Sequence, residues 1–175
     1  MIPSVWVPDE DTQALRRRVT RRAALTRQLV RAKNEVHAVV MRCLLGRPPM
    51  TDLFGVKGPA WLAEQHLPPA EAETAASGLR QIDFLRSEIK AIDEKTAKTA
   101  AGSPDFKRLM TIPGIDIGTA AAVMAAIGDI HRLNNPRELV AHLGLDPTSR
   151  QSGNQPARTG RISKRDNPPS KIGTR

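Results

Sequence analysis

The stretch 109-LMTIPGIDIGTAAAVMAAIGDI-130 decides how the chain is read. Pro113, Gly114 and Gly118 stand close together, and a run rich in alanine follows them. Proline fixes φ and glycine supplies positive φ, so the first part reads as a tight bend. The alanine-rich run behind it reads as a helix that begins abruptly. Asp105–Met110 reads as the helix in front.

Helix, Ile-Pro-Gly-Ile-Asp-Ile-Gly, helix is similar to a helix-hairpin-helix element. Glycine removes side-chain bulk from the bend, so backbone amides there and at the next helix start can face a phosphate without reading its base. This makes Gly114, Ile115, Gly118 and Thr119 candidate DNA contacts, Thr119 with its hydroxyl as well. Asp116 stands where such a motif usually carries glycine. A carboxylate there repels phosphate unless it caps the following helix. The competing reading is a plain helix corner with alanines for close packing.

Composition agrees with a helical protein. Of 175 residues, 39% are hydrophobic and only 3% aromatic, so a core must be built from Ala, Val, Leu and Ile. The formal charge of +9 favours a polyanionic partner. No apolar run reaches the ~18 residues of a membrane span, so no membrane partner is expected. Cys43 is the single cysteine and pairs with nothing internal. It suits a reducing, cytoplasmic setting, and no Cys/His spacing for a metal exists.

Working outward, the spacing predicts one long helix over residues 8–45. Asp9, Glu10 and Asp11 suit its start, where negative charge meets the positive end of the helix dipole. Leu25, Leu29, Ala32, Val36, Val39 and Cys43 recur at steps of four and three, a coiled-coil seam. Arg16, Arg17, Arg18, Arg21, Arg22, Arg27, Arg31 and Lys33 surround it, and Gly46, Pro48 and Pro49 end it. These arginines read equally well as a nucleic-acid contact and as a solvated face. Residues 46–68 read as a connector with a short helix near Pro59 that turns Trp61 and Leu62 to a core. A second long helix is predicted over 69–98, with Leu79, Ile82, Leu85, Ile89 and Ile92 on one face. Two seams imply an antiparallel helical pair or a dimer of such pairs. A further helix starts near Pro136 and ends at Gly144. Residues 146–175 carry seven basic and two acidic residues among Gly, Ser and Pro, and read as disordered. The expected class is therefore all-α: coiled-coil region 1–100, compact domain 104–167 with the hairpin, and an aberrant tail at 168–175.

The segment "RLMTIPGIDIGTAAAVMAAIGDIHRLNNPRELVAHLGLDPTSRQSGNQPARTGRISK" resembles the C-terminal domain of the insertion-sequence 110/116/902 transposases. The marks are the IPGI hairpin, the IGDI ending, the "PRELVAHLGLDP" helix, the SG pair and "GRISKRDN". Upstream, "VWVPDEDTQALRRRVTRRAALTRQLVRAKN" is similar to the passage from the nuclease-like domain into the coiled coil. The resemblance implies recombination of DNA by a bacterial mobile element. It implies a nuclease-like domain with acidic ligands for Mg, a structured guide RNA, and a catalytic serine that links covalently to DNA. Here the chain begins where the metal-binding domain would have ended. Asp166 replaces an expected glycine, and Pro168-Pro169 forbid the closing helix. The expectation is a fragment with a truncated or frameshifted end, binding DNA but inactive alone, with no cofactor of its own.

By this resemblance Ser152 is the candidate nucleophile, with Ser149 and Ser163 as the other options. Arg158, Arg161, Lys164 and Arg165 are candidate phosphate ligands in the tail. The acidic run at residues 9–11 reads as a helix start, not as a metal site, since metal carboxylates converge from separated elements. His37, His66, His131 and His142 form no ligand spacing and read as structural. The long helices imply a homo-oligomer. The alternative function is a non-catalytic nucleic-acid-binding dimer that uses hairpin and tail alone. A third reading is a structural coiled-coil protein whose charge is incidental.

Overall fold

The computed structural model describes residues 7–133, 135–143, 147–150 and 158–162. Their order is α1 Glu10–Arg42, α2 Gly58–Ala63, α3 Pro69–Ala101, α4 Pro104–Met110, α5 Ile117–Ile127, a 3-10 turn Ile130–Arg132, α6 Pro136–His142, β1 Pro147–Arg150 and β2 Arg158–Ile162. The helical class read from sequence holds. One correction falls in the tail, where disorder was expected: β1 and β2 pair antiparallel, with Ser149 opposite Thr159 and Arg150 opposite Arg158.

The helix boundaries follow local chemistry. The Asp9 carboxylate accepts the Thr12 amide at 2.6 Å and caps α1. That hydrogen bond holds the Asp9 carboxyl below its ordinary range. At the other end Leu44 and Gly46 both take positive φ and turn the chain out of the helix. Ser103 caps α4 with Pro104 in its first turn. Asn135 accepts the Glu138 amide at 2.9 Å, and its side-chain amide donates back to the Glu138 carboxylate at 3.0 Å. This reciprocal pair starts α6 in the manner of a capping box.

The chain divides into two compact units. One is Arg22–Ile92; the other joins Met1–Arg21 to Asp93–Arg175.

In the unit Arg22–Ile92, both predicted seams meet in one core. Leu25, Ala32, Val36, Val39, Ile82 and Leu85 are buried together. Leu29, Cys43, Leu79, Ile89 and Ile92 pack against them. The connector closes this core with Leu53, Phe54 and Leu62, and Trp61 lies partly buried beside them. The two helices run antiparallel: Arg42 pairs with Glu71, and Gly78 faces Val36. The Phe54 ring meets His37 edge-on at 5.0 Å, and the Lys33 ammonium stands 5.1 Å from its centre.

In the other unit the core is Leu15, Ala100, Phe106, Ala120, Ala121 and Ala125, with Val19, Leu109, Ile115, Ile117 and Met124 around it. The alanines let α5 sit close to its neighbours, as the composition required. Here too α1 and α3 run side by side, with Arg18 donating to the Thr99 hydroxyl at 2.8 Å.

Candidate nucleic-acid interface

The hairpin is positioned by its two helices. Phe106 of α4 is buried, and Ile115 and Ile117 pack against the same cluster from the other side of the bend. Between them Thr111–Gly114 is exposed. The Ile115 amide donates to the Ile112 carbonyl at 3.1 Å across Pro113 and Gly114, and Gly114 has φ +87°. Proline followed by a positive-φ glycine is the type II turn pattern. A Cβ added at Gly114 would meet nothing within 4 Å. The glycine therefore serves the φ angle, and the space over the turn is open for an approaching ligand.

Asp116 caps α5, its carboxylate accepting the Thr119 amide at 2.7 Å. The Ala120 amide takes the Asp116 carbonyl at 2.9 Å. Among the described residues the amides of Gly114, Ile117 and Gly118 take no protein acceptor. The first two amides of α5 thus lie at the positive end of its dipole, beside the open turn. Thr119 keeps only its hydroxyl for a ligand, since its amide is engaged. Met110 and Ile112 flank the bend, each roughly half exposed.

The far end of α5 holds a feature that sequence reading missed. Arg16 donates from Nε to the Ala125 carbonyl at 2.7 Å and from Nη2 to the Ala126 carbonyl at 3.3 Å. Arg132 donates to the Ile127 carbonyl from Nε and Nη2 at 3.2 and 3.0 Å. His142 Nε2 lies 3.0 Å from the Ala126 carbonyl and 2.8 Å from Arg132 Nη2. Cations at a helix C-terminus offset its partial negative charge. This cluster fixes α5, and through it the hairpin, to α1 and α6. Only Gly128, whose φ is +65°, marked this helix end in the sequence.

The other predicted residues fall differently. Arg158 and Arg161 lie in β2. Ser149, an alternative nucleophile, lies in β1. Ser152, Ser163, Lys164 and Arg165 lie outside the described residues. Among the described residues no group of three His, Cys, Asp or Glu converges on a metal position. The carboxylate of Asp9 is engaged as the cap of α1.

Residues 106–171 match the family model described as the transposase IS116/IS110/IS902 family. The matched segment begins inside α4 and includes the whole hairpin. A transposase for insertion sequence element IS1328 of Yersinia enterocolitica is 30% identical over 157 residues, 89% of this chain. The chain belongs to the IS116/IS110/IS902 transposase family. A transposase for insertion sequence element IS1111A of Coxiella burnetii is 40% identical over 75 residues, 43% of the chain. A putative transposase, y4qE, of Sinorhizobium fredii is 28% identical over 160 residues, 91% of the chain. The alignments span 46%, 20% and 38% of those relatives, so this chain matches less than half the length of each. No helix among its described residues is long and apolar enough to cross a membrane.

Proposed function

We propose that this chain is the DNA-contacting part of an insertion-sequence transposase, acting in the bacterial cytoplasm. The observation that carries the reading is the hairpin 111–118, exposed over 111–114 and carrying three amides with no acceptor among the described residues, inside the segment that matches the family. Its amides hold a phosphate of duplex DNA while Arg158, Arg161, Lys164 and Arg165 follow the same backbone. Contact of this kind sets position and leaves sequence unread. Sequence choice then falls to other parts of the complete transposase, including a structured guide RNA. Oligomerisation through the paired long helices brings two such chains to one exchange event.

Ser152 is the proposed nucleophile. A serine oxygen that attacks phosphorus displaces one DNA oxygen and keeps the strand as a serine–phosphate ester, ready for rejoining. A serine hydroxyl is a weak nucleophile without a base or a metal. The chain matches less than half the length of its relatives, and on this reading the serine acts only together with the metal-binding carboxylates that the family implies, so that the chain alone is inactive.

The deciding experiment is duplex DNA binding across a salt series. A phosphate binder loses affinity steeply as salt rises. Gly114→Glu places a carboxylate at the turn and is expected to abolish the hairpin's share of binding. Unchanged binding by Gly114→Glu would remove the hairpin from the mechanism. The chain alone is expected to form no covalent DNA adduct. An adduct that appears with the wild type and vanishes in Ser152→Ala would establish the serine and overturn the inactivity.

A further inference from the structure

We infer that α1 carries a second binding surface for duplex DNA, a row formed by Arg17, Arg21, Arg27 and Arg31. The inference rests on the chain being a nucleic-acid binder, but it uses none of the hairpin or tail residues. The geometry is internal to one helix. At 3.6 residues per turn, these four positions fall within an arc of roughly 120° and span about 21 Å of helix axis. All four are exposed.

The basic residues of α1 divide by what they touch. Arg16 holds carbonyls at the end of α5, Arg18 donates to Thr99, and Lys33 stands over the Phe54 ring. Arg22 is engaged as well. None of Arg17, Arg21, Arg27 and Arg31 has a partner among the described residues. The arginines that build the structure lie off the arc, and those on the arc build nothing.

A solvated helix face offers the competing explanation, and the molecule contains its own control. Helix α3 has the same length as α1, 33 residues. It mixes six acidic residues with five basic ones, the pattern of a face that serves solubility. In α1 no acidic residue occurs between Asp11 and Glu35, while eight basic ones do. Such a stretch repels itself, and an isolated helix gains nothing from like charges at i, i+4 such as Arg17/Arg21 and Arg27/Arg31. A polyanion laid along the face removes that repulsion. No aromatic residue lies on the arc for a base to stack on. That disfavours single-stranded nucleic acid and leaves backbone contact with a regular duplex, which carries about one charge per 1.7 Å of axis.

The test uses the full chain with a random-sequence DNA duplex and the salt dependence of its binding. Each phosphate contact contributes about 0.9 to the log–log slope. Arg17→Gln with Arg21→Gln, and separately Arg27→Gln with Arg31→Gln, should each lower the slope by about 2. The four-fold variant should lower it by 3 to 4, roughly the sum of those contacts. Arg→Lys at all four positions should keep the slope, because charge and not shape is read. Far-UV circular dichroism establishes that each variant retains its helices. If the slope is unchanged in folded Gln variants, the row is a solvated face and the inference fails. If the variants lose binding only to an RNA stem of equal length, the DNA commitment fails. Should Gly114→Glu bind normally while the Gln variants do not, the hairpin reading fails and this one stands. The reverse result sinks this inference alone.

Discussion

The Asp116 carboxylate lies 2.7 Å from the Thr119 amide and closes the first turn of α5. A negative charge at a phosphate-binding bend looked contradictory in the sequence. The geometry gives it a structural task, and the task separates into two measurable parts. Asp116→Ala removes the cap and is expected to cost about 1 kcal/mol in denaturant unfolding. Asp116→Asn keeps an oxygen acceptor, so stability should hold while the local negative charge disappears. Duplex DNA affinity should therefore rise in the Asn variant. Equal affinity in Asn variant and wild type would mean that phosphate does not approach this bend.

Gly78 is expected to tolerate no side chain. A Cβ there would lie 2.6 Å from Val36 Cγ2 in the core between α1 and α3. Overpacking of this kind costs about 1–3 kcal/mol. Gly78→Ala should be destabilised by that amount. Val36→Ala should partly rescue it in a double-mutant cycle, since the two changes share one contact. Simple additivity would show that the clash is relieved elsewhere.

Gly58 is the more severe case. An added Cβ would run into the Leu53 carbonyl, and backbone yields less readily than a side-chain tip. Gly58→Ala should cost at least about 3 kcal/mol, the upper end for overpacking. It should also loosen the connector, read as faster hydrogen exchange at Phe54 and Leu62. A variant as stable as wild type would mean that the segment 53–58 is redrawn at little expense.

Arg16 joins two distant parts of the chain, being 109 residues from Ala125. Arg16→Gln should leave the carbonyls at the end of α5 short of donors. The expected cost is about 1–2 kcal/mol, the scale of a charged hydrogen-bond donor at a partly exposed helix end. Lysine should rescue little, because it lacks the guanidinium fork that reaches both Ala125 and Ala126. Hydrogen exchange resolved along α5 should place the loosening in its last turn.

The Arg42–Glu71 pair sets an acid-side dependence. The hydrogen bond from Arg42 holds the Glu71 carboxyl below its ordinary value of 4.5. A depressed folded value means that the stabilisation is present above the ordinary range and is lost as pH falls through the depressed value. Both groups sit at the surface, so the effect should be small and should shrink with salt. Thermal melts of wild type and Glu71→Gln should differ slightly at neutral pH and coincide in acid. A gap that widens in acid would contradict the pairing.

Much of the fold was legible because it is periodic. The residues from Leu25 to Cys43 and from Leu79 to Ile92 repeat at helical steps, and both series meet in one core. Proline and glycine placed the bend at 113–114, because few other residues satisfy those dihedral angles. The capping role of Asp116 was legible as one of two options. The cluster around the end of α5 was not, since Arg16, Arg132 and His142 share no local pattern and meet only through tertiary packing. The β1–β2 pairing escaped for a different reason. Its strands are four and five residues long and rich in polar side chains and glycine, so no apolar alternation announces them.

Helix α1 supplies Leu15 to one hydrophobic cluster and Leu25 to the other. Anyone trimming the gene to the family-matched segment, 106–171, would discard Leu15, Val19 and Ala100 along with the guanidinium of Arg16. The alanine face of α5 would then stand wet, and the excised piece should precipitate or melt. A soluble minimal version must keep residues 7–21 and rejoin them to the chain from Asp93 onward, which makes the smallest workable unit discontinuous in sequence.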